Sequence, residues 1–200
     1  MQAIQTKYAG CFFRSRLEAR WAVFLDHVGI QWQYEYQGFA CPYRLTLEDG
    51  TFPYLPDFWL PELGMYAEVK GSLTANETKK VLNSAAHFSE NGHDMLILGH
   101  IPHESNARLP WRLSWYKGDL IGYPWIDLYG QIPTEKQMNI GDEYIFGSDS
   151  SYIAENAGPD LLNMASPQFF SKRAGEHWNT VLDNFLTVKD AYQAAREARF

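Results

Sequence analysis

Apolar residues recur at helical spacing near the start of the chain: Leu17, Trp21, Phe24, Leu25 and Val28 fall on one stripe. They predict a helix over 14–28, stopped by Gly29. The stretch QWQYEYQGF (31–39) alternates aromatic and polar positions and predicts a strand. A further strand, interrupted by a turn at Glu48-Asp49-Gly50, is expected over 41–51. Residues 57–68 predict a hairpin around Pro61-Glu62-Leu63-Gly64, with Gly64 at the position most in need of a positive φ. A second helix follows over 76–91, with Thr74 or Asn76 as cap and Gly92 as stop. The nearly all-apolar run DMLILGH (94–100) reads as a central or parallel strand.

Beyond residue 100 the pattern weakens. Tryptophan, tyrosine and proline crowd 101–130, and a polar stretch covers 142–167. Two more helices are predicted over 176–186 and 189–199. The expected organisation is a core over 1–105 and an aromatic-rich C-terminal extension over 106–200 that packs on it.

Composition narrows the class. Of 200 residues, 46% are hydrophobic and 16% aromatic, enough for a substantial core. No run of about 18 apolar residues predicts a membrane span, and the N-terminus lacks a signal peptide's apolar stretch. Cys11 and Cys41 are too few for a disulfide framework and read as buried thiols in a reducing cytoplasm. The net charge of −7 excludes a general nucleic-acid coat, but it is unevenly spread. Residues 119–163 carry eight acids against Lys136 alone. The first twenty residues carry Lys7, Arg14, Arg16 and Arg20 against Glu18, so a locally basic entrance remains open.

The candidate chemistry sits on the hairpin. If Leu60 pairs with Met65, Asp57 falls opposite Glu68, with Cβ atoms roughly 4.5–5.5 Å apart. Strand alternation adds Lys70 to the same face. Two opposed carboxylates repel unless a cation lies between them, and a hard oxygen-seeking ion such as Mg²⁺ suits the pair. A neighbouring lysine could then orient an attacking water. These residues point to a metal-dependent hydrolase.

Pro56-Asp57, Glu68-Val69-Lys70 and the preceding Ser15-Arg16-Leu17-Glu18-Ala19-Arg20 resemble the signature of the PD-(D/E)XK nuclease superfamily. Within it, the arrangement is most similar to phage-encoded nucleases, phage-type Holliday-junction resolvases and the DNA-cleaving subunit of some transposons. The resemblance covers roughly residues 6–103. It implies an α/β fold with a restriction-endonuclease-like core: helix, three-stranded antiparallel meander, helix, parallel strand. It also implies that Asp57 and Glu68, with the Val69 carbonyl, ligate Mg²⁺ or Mn²⁺. Lys70 would position the water, and Glu18 would be a second ligand or base. The implied function is phosphodiester hydrolysis in DNA, double-stranded or branched, by a phage or mobile-element enzyme in the cytoplasm. Many such nucleases dimerise to cut both strands.

Several residues carry competing readings. Ser15-x-x-Glu18 is also a capping box, and Glu18 lies about 75° from the centre of the apolar stripe, at its border. Arg14, Arg16, Lys79 and Lys80 are candidate phosphate contacts or ordinary surface charges. His93, His100 and His103 fit no standard zinc spacing. The tryptophans from Trp111 to Trp125 suit a core better than base stacking. The alternative function is a catalytically silent binding protein on a nuclease scaffold, mimicking DNA or docking on a host factor through the acidic 119–163 segment.

Overall fold

The computed structural model describes residues 4–45, 48–102, 110–116, 119–124, 144–146 and 188–200. A hairpin of β1 (Thr6–Tyr8) and β2 (Cys11–Phe13) opens the chain. Its loop residues Ala9 and Gly10 both have positive φ (45° and 81°), as a two-residue hairpin turn of matching twist requires. Helix α1 (Arg16–His27) begins at Ser15, whose hydroxyl accepts the Glu18 N–H at 3.2 Å. Strand β3 (Gln33–Tyr34) leads to β4 (Phe39–Pro42) and β5 (Thr51–Tyr54), then β6 (Phe58–Leu60) and β7 (Met65–Val69). Helix α2 (Ala75–Glu90) is opened by a complete capping box between Thr74 and Glu77. After it come β8 (Met95–Leu98), β9 (Trp111–Tyr116), β10 (Asp119–Pro124), β11 (Tyr144–Phe146) and α3 (Val188–Glu197).

The chain is mixed α/β. Its main sheet has seven strands in the order β11-β10-β9-β8-β7-β6-β3. Only β7 and β8 run parallel, with α2 between them in sequence, while all other neighbours are antiparallel. Strands β4 and β5 form a separate two-stranded ladder. The hairpin register is the expected one: Leu60 faces Met65 and Phe58 faces Ala67.

The sheet is covered on both faces. Met65, Ala67 and Val69 of β7, with Leu96 and Leu98 of β8, pack under Trp21, Phe24 and Leu25 of α1. Tyr66, Met95 and Ile97 point the other way, to Val81, Leu82 and Phe88 of α2 and to Cys41 and Phe52 of the β4–β5 hairpin. Two-sided burial explains why β8 is apolar throughout. Asn83 of α2 is fully buried, and its Oδ1 accepts the Leu45 N–H at 2.7 Å, fastening the chain after β4 to the helix. Helix α3 lies on α1: Tyr192 stacks on Phe24 at 4.4 Å and meets Trp21 edge-on.

Two expectations change in detail. The strand expected over 31–39 ends at Tyr34, because Glu35 takes a left-handed φ of 47° that turns the chain, although its N–H still bonds the carbonyl of Asp57 opposite it at 2.9 Å. The chain then leaves the sheet, so the antiparallel set β3-β6-β7 is interrupted in sequence by the β4–β5 hairpin. The helix expected over 176–186, most of the 142–167 stretch, His103, Trp125 and Tyr129 lie outside the described residues. Among the described residues, no helix is long and apolar enough to cross a membrane.

Candidate functional site

Asp57 stands one residue before β6, and the Phe58–Ala67 register places it opposite Glu68. Both carboxylates are buried, at 2% and 4% exposure. Asp57 Oδ2 accepts the Val69 N–H at 2.7 Å, which locks its plane against β7. Glu68 Oε1 pairs with Lys70 Nζ at 2.9 Å, whereas Oε2 is buried without a well-formed hydrogen bond. The Tyr54 hydroxyl, buried in the same way, approaches Glu68 closely enough for a weak hydrogen bond, and burial first, then the charges of Glu68 and Asp57, raise its pKa. The site thus forms at the C-terminal end of β7, with β5 leading into it and Lys70, at 29% exposure, reaching towards solvent.

Burial and like charge govern its electrostatics. Desolvation, and then the charge of Glu68, push Asp57 up to about 7 against the opposing help of the Val69 N–H and Arg14. Glu68 is raised by burial and held back first by the charge and hydrogen bond of Lys70, then by the Tyr54 hydroxyl and the charge of Arg14. Burial works to lower the Lys70 ammonium, but the charge and hydrogen bond of Glu68, with Asp57 behind it, raise it overall. Lys70 is therefore a fixed cation at neutral pH.

Glu18 caps its helix and also borders this cluster. Its Oε1 accepts from the Ser15 hydroxyl at 2.7 Å, and its Oε2 accepts from the Tyr34 hydroxyl at 2.5 Å and the Arg14 N–H at 3.0 Å. Its charge reaches Asp57 and contributes to the rise there. Of the four candidate phosphate contacts, Arg14 alone is joined to the carboxylates: Nη2 lies 2.7 Å from Asp57 Oδ1 and Nε 2.9 Å from Glu35 Oε1. Arg16 is exposed on the first turn of α1. Lys79 pairs with Glu48, and Lys80 is half-buried on α2.

Among the described residues, no group of three or more His, Cys, Asp or Glu side chains converges as a ready metal cage. The donor chemistry nevertheless fits a hard divalent ion. Glu68 Oε2 is an unsatisfied buried anion oxygen beside a second buried carboxylate, and Mg²⁺ needs only one or two protein carboxylates with water completing its shell. His93 has another role: Nδ1 contacts the Gly64 carbonyl at 3.0 Å, and its ring packs edge-on against Trp59 and Tyr66. Trp111 is buried in the α2-side core.

Three residues at the site escape a reading of the sequence: Tyr34, Glu35 and Tyr54. Tyr54 stands three before Asp57, where strand alternation alone gives no cue. Glu35 could not be found from propensity, since glutamate has no preference for a left-handed backbone. No protein-family model, curated protein or solved structure matches the chain.

Proposed function

We propose that the chain is a divalent-metal-dependent DNA endonuclease of restriction-endonuclease-like architecture, with residues 1–105 as its catalytic core. The observation that carries the reading is the buried Asp57–Glu68 pair, with Glu68 Oε2 left without a well-formed hydrogen bond. A buried anionic oxygen without a hydrogen bond is unfavourable unless a cation completes it. Asp57, Glu68 and the Val69 carbonyl are the proposed ligands of Mg²⁺ or Mn²⁺, with Glu18 as an outer carboxylate. When bound, such an ion supplies an activated water and positive charge beside the scissile phosphate. Lys70, permanently charged and partly exposed, orients the attacking water and steadies the phosphate. Phage or mobile-element DNA, branched or duplex, is the proposed substrate context, and a homodimer would serve double-strand cutting.

One observation favours the second reading. Arg14 and Lys70 already balance the Asp57 and Glu68 charges, as they would in a cation-free scaffold protein that only binds. Cleavage assays separate the two. Supercoiled, linear, single-stranded and four-way-junction DNA would be incubated with Mg²⁺, Mn²⁺ or chelator. The nuclease reading expects metal-dependent cleavage that Asp57→Ala and Glu68→Ala abolish. Intact DNA under every condition would favour the binding protein.

A further inference from the structure

We propose that Arg14 is a displaceable internal cation standing in the place of the divalent ion, and that Glu35 is the positioning residue that holds it there. The idea rests on the metal-dependent reading above. Arg14 Nη2 lies 2.7 Å from Asp57 Oδ1, while Oδ2 is committed to the Val69 N–H at 2.7 Å. A divalent ion on Oδ1 would sit about 2.1 Å from that oxygen, and so within about 5 Å of the guanidinium. Two cations cannot share that one oxygen at full strength, so the guanidinium and the ion compete for Oδ1, whereas Lys70 sits on Glu68 Oε1 and leaves Oε2 open.

The surroundings decide which of them can move. Asp57 is 2% exposed and held by β7, so it cannot follow a departing partner. The Arg14 backbone is pinned, its N–H shared between Glu18 Oε2 at 3.0 Å and the Tyr34 hydroxyl at 3.1 Å. Its side chain is 54% exposed, so it has solvent to swing into once it leaves Asp57. Glu35 sets the resting position. Its left-handed φ of 47° is unusual for glutamate and is maintained by its N–H bond to the Asp57 carbonyl. That turn presents its carboxylate to Arg14 Nε at 2.9 Å. Arg14 is thus held between a buried acid and one at 30% exposure nearer the solvent. When a divalent ion enters, the guanidinium leaves Asp57 while its backbone stays tethered at the mouth of the site. There its planar donors suit a phosphodiester. Metal loading and phosphate capture become one exchange.

Calorimetric titration of the full chain with Mn²⁺, in the absence of DNA, tests this. Arg14→Ala should tighten Mn²⁺ binding by about tenfold or more, and Glu35→Gln by a few-fold. Arg14→Lys should stay near wild type, because the cation is retained. Asp57→Ala should abolish binding in every background. Circular dichroism confirms that each variant is folded, and the milder Glu35→Gln carries the test if Arg14→Ala is not. A merely structural arginine would lower metal affinity when removed, not raise it. Unchanged or weaker binding in both Arg14→Ala and Glu35→Gln, with Asp57→Ala still abolishing it, would overturn the exchange and leave the metal site standing. No Mn²⁺ binding in wild type or in either variant would remove the metal reading and the exchange together.

Discussion

Asp57→Asn should stabilise the metal-free protein at alkaline pH. The substitution keeps an oxygen for the Val69 N–H and removes one of two opposed buried charges. Folding raises Asp57 from 3.8 to about 7, because of burial first and Glu68 second. At 1.36 kcal/mol per pH unit, that rise corresponds to about 4 kcal/mol of destabilisation once the group is ionised. Asp57 and Glu68 titrate as a pair, so removing one charge should recover about half, roughly 2 kcal/mol. The sign follows from the raised value. The native state is favoured while Asp57 holds its proton, the advantage is complete below the unfolded pKa, and it is lost as pH rises through about 7. In chelator at pH 8, Asp57→Asn should therefore melt about 4–8 °C above wild type, converging with it near pH 4. Thermal denaturation followed by circular dichroism across that range gives the answer. A variant less stable at pH 8, or a gap independent of pH, would refute the reasoning, since the Arg14 ion pair would then outweigh burial and repulsion.

Other outcomes follow from the same geometry. Thr74→Ala should destabilise by about 1 kcal/mol in denaturant titration, because it opens the capping box of α2. Hydrogen bonds from the Thr74 side chain and backbone lower the Glu77 pKa, so the cap's contribution is present at neutral pH and fades as pH falls below the ordinary glutamate range. Tyr192→Ala should cost about 3 kcal/mol by removing the ring that joins α3 to Phe24 and Trp21, and a neutral result would show that α3 does not dock. Lys70→Met should reduce cleavage at least about 100-fold in single-turnover assays, and should also lower the melting temperature in chelator because buried Glu68 loses its counter-ion. Glu18→Gln should slow cleavage more than it lowers stability, whereas full activity would limit Glu18 to its cap.

Legibility in the sequence followed how local each cause was. Helix α1, the Thr74 cap, the buried β8 strand and the Leu60–Met65 register all arise from periodicity or turn chemistry within a short window. The same register sets Asp57 opposite Glu68 from the sequence alone. The break at Glu35 is not visible in the sequence, because glutamate has no left-handed preference and the Asp57 it faces lies 22 residues away. Arg14 looked like one of several surface cations. Its turn towards Asp57 depends on a buried acid contributed by another element, which no spacing along the chain encodes. Likewise, the polar alternation of 31–39 cannot distinguish one long strand from two short ones in different sheets.

The most direct measurement is anomalous diffraction from crystals soaked in Mn²⁺. One or two manganese peaks are expected between Asp57 and Glu68, with Glu68 Oε2 as a ligand. Soaked crystals with no peak at this pair, and Glu68 Oε2 still without a cation, would contradict the metal site.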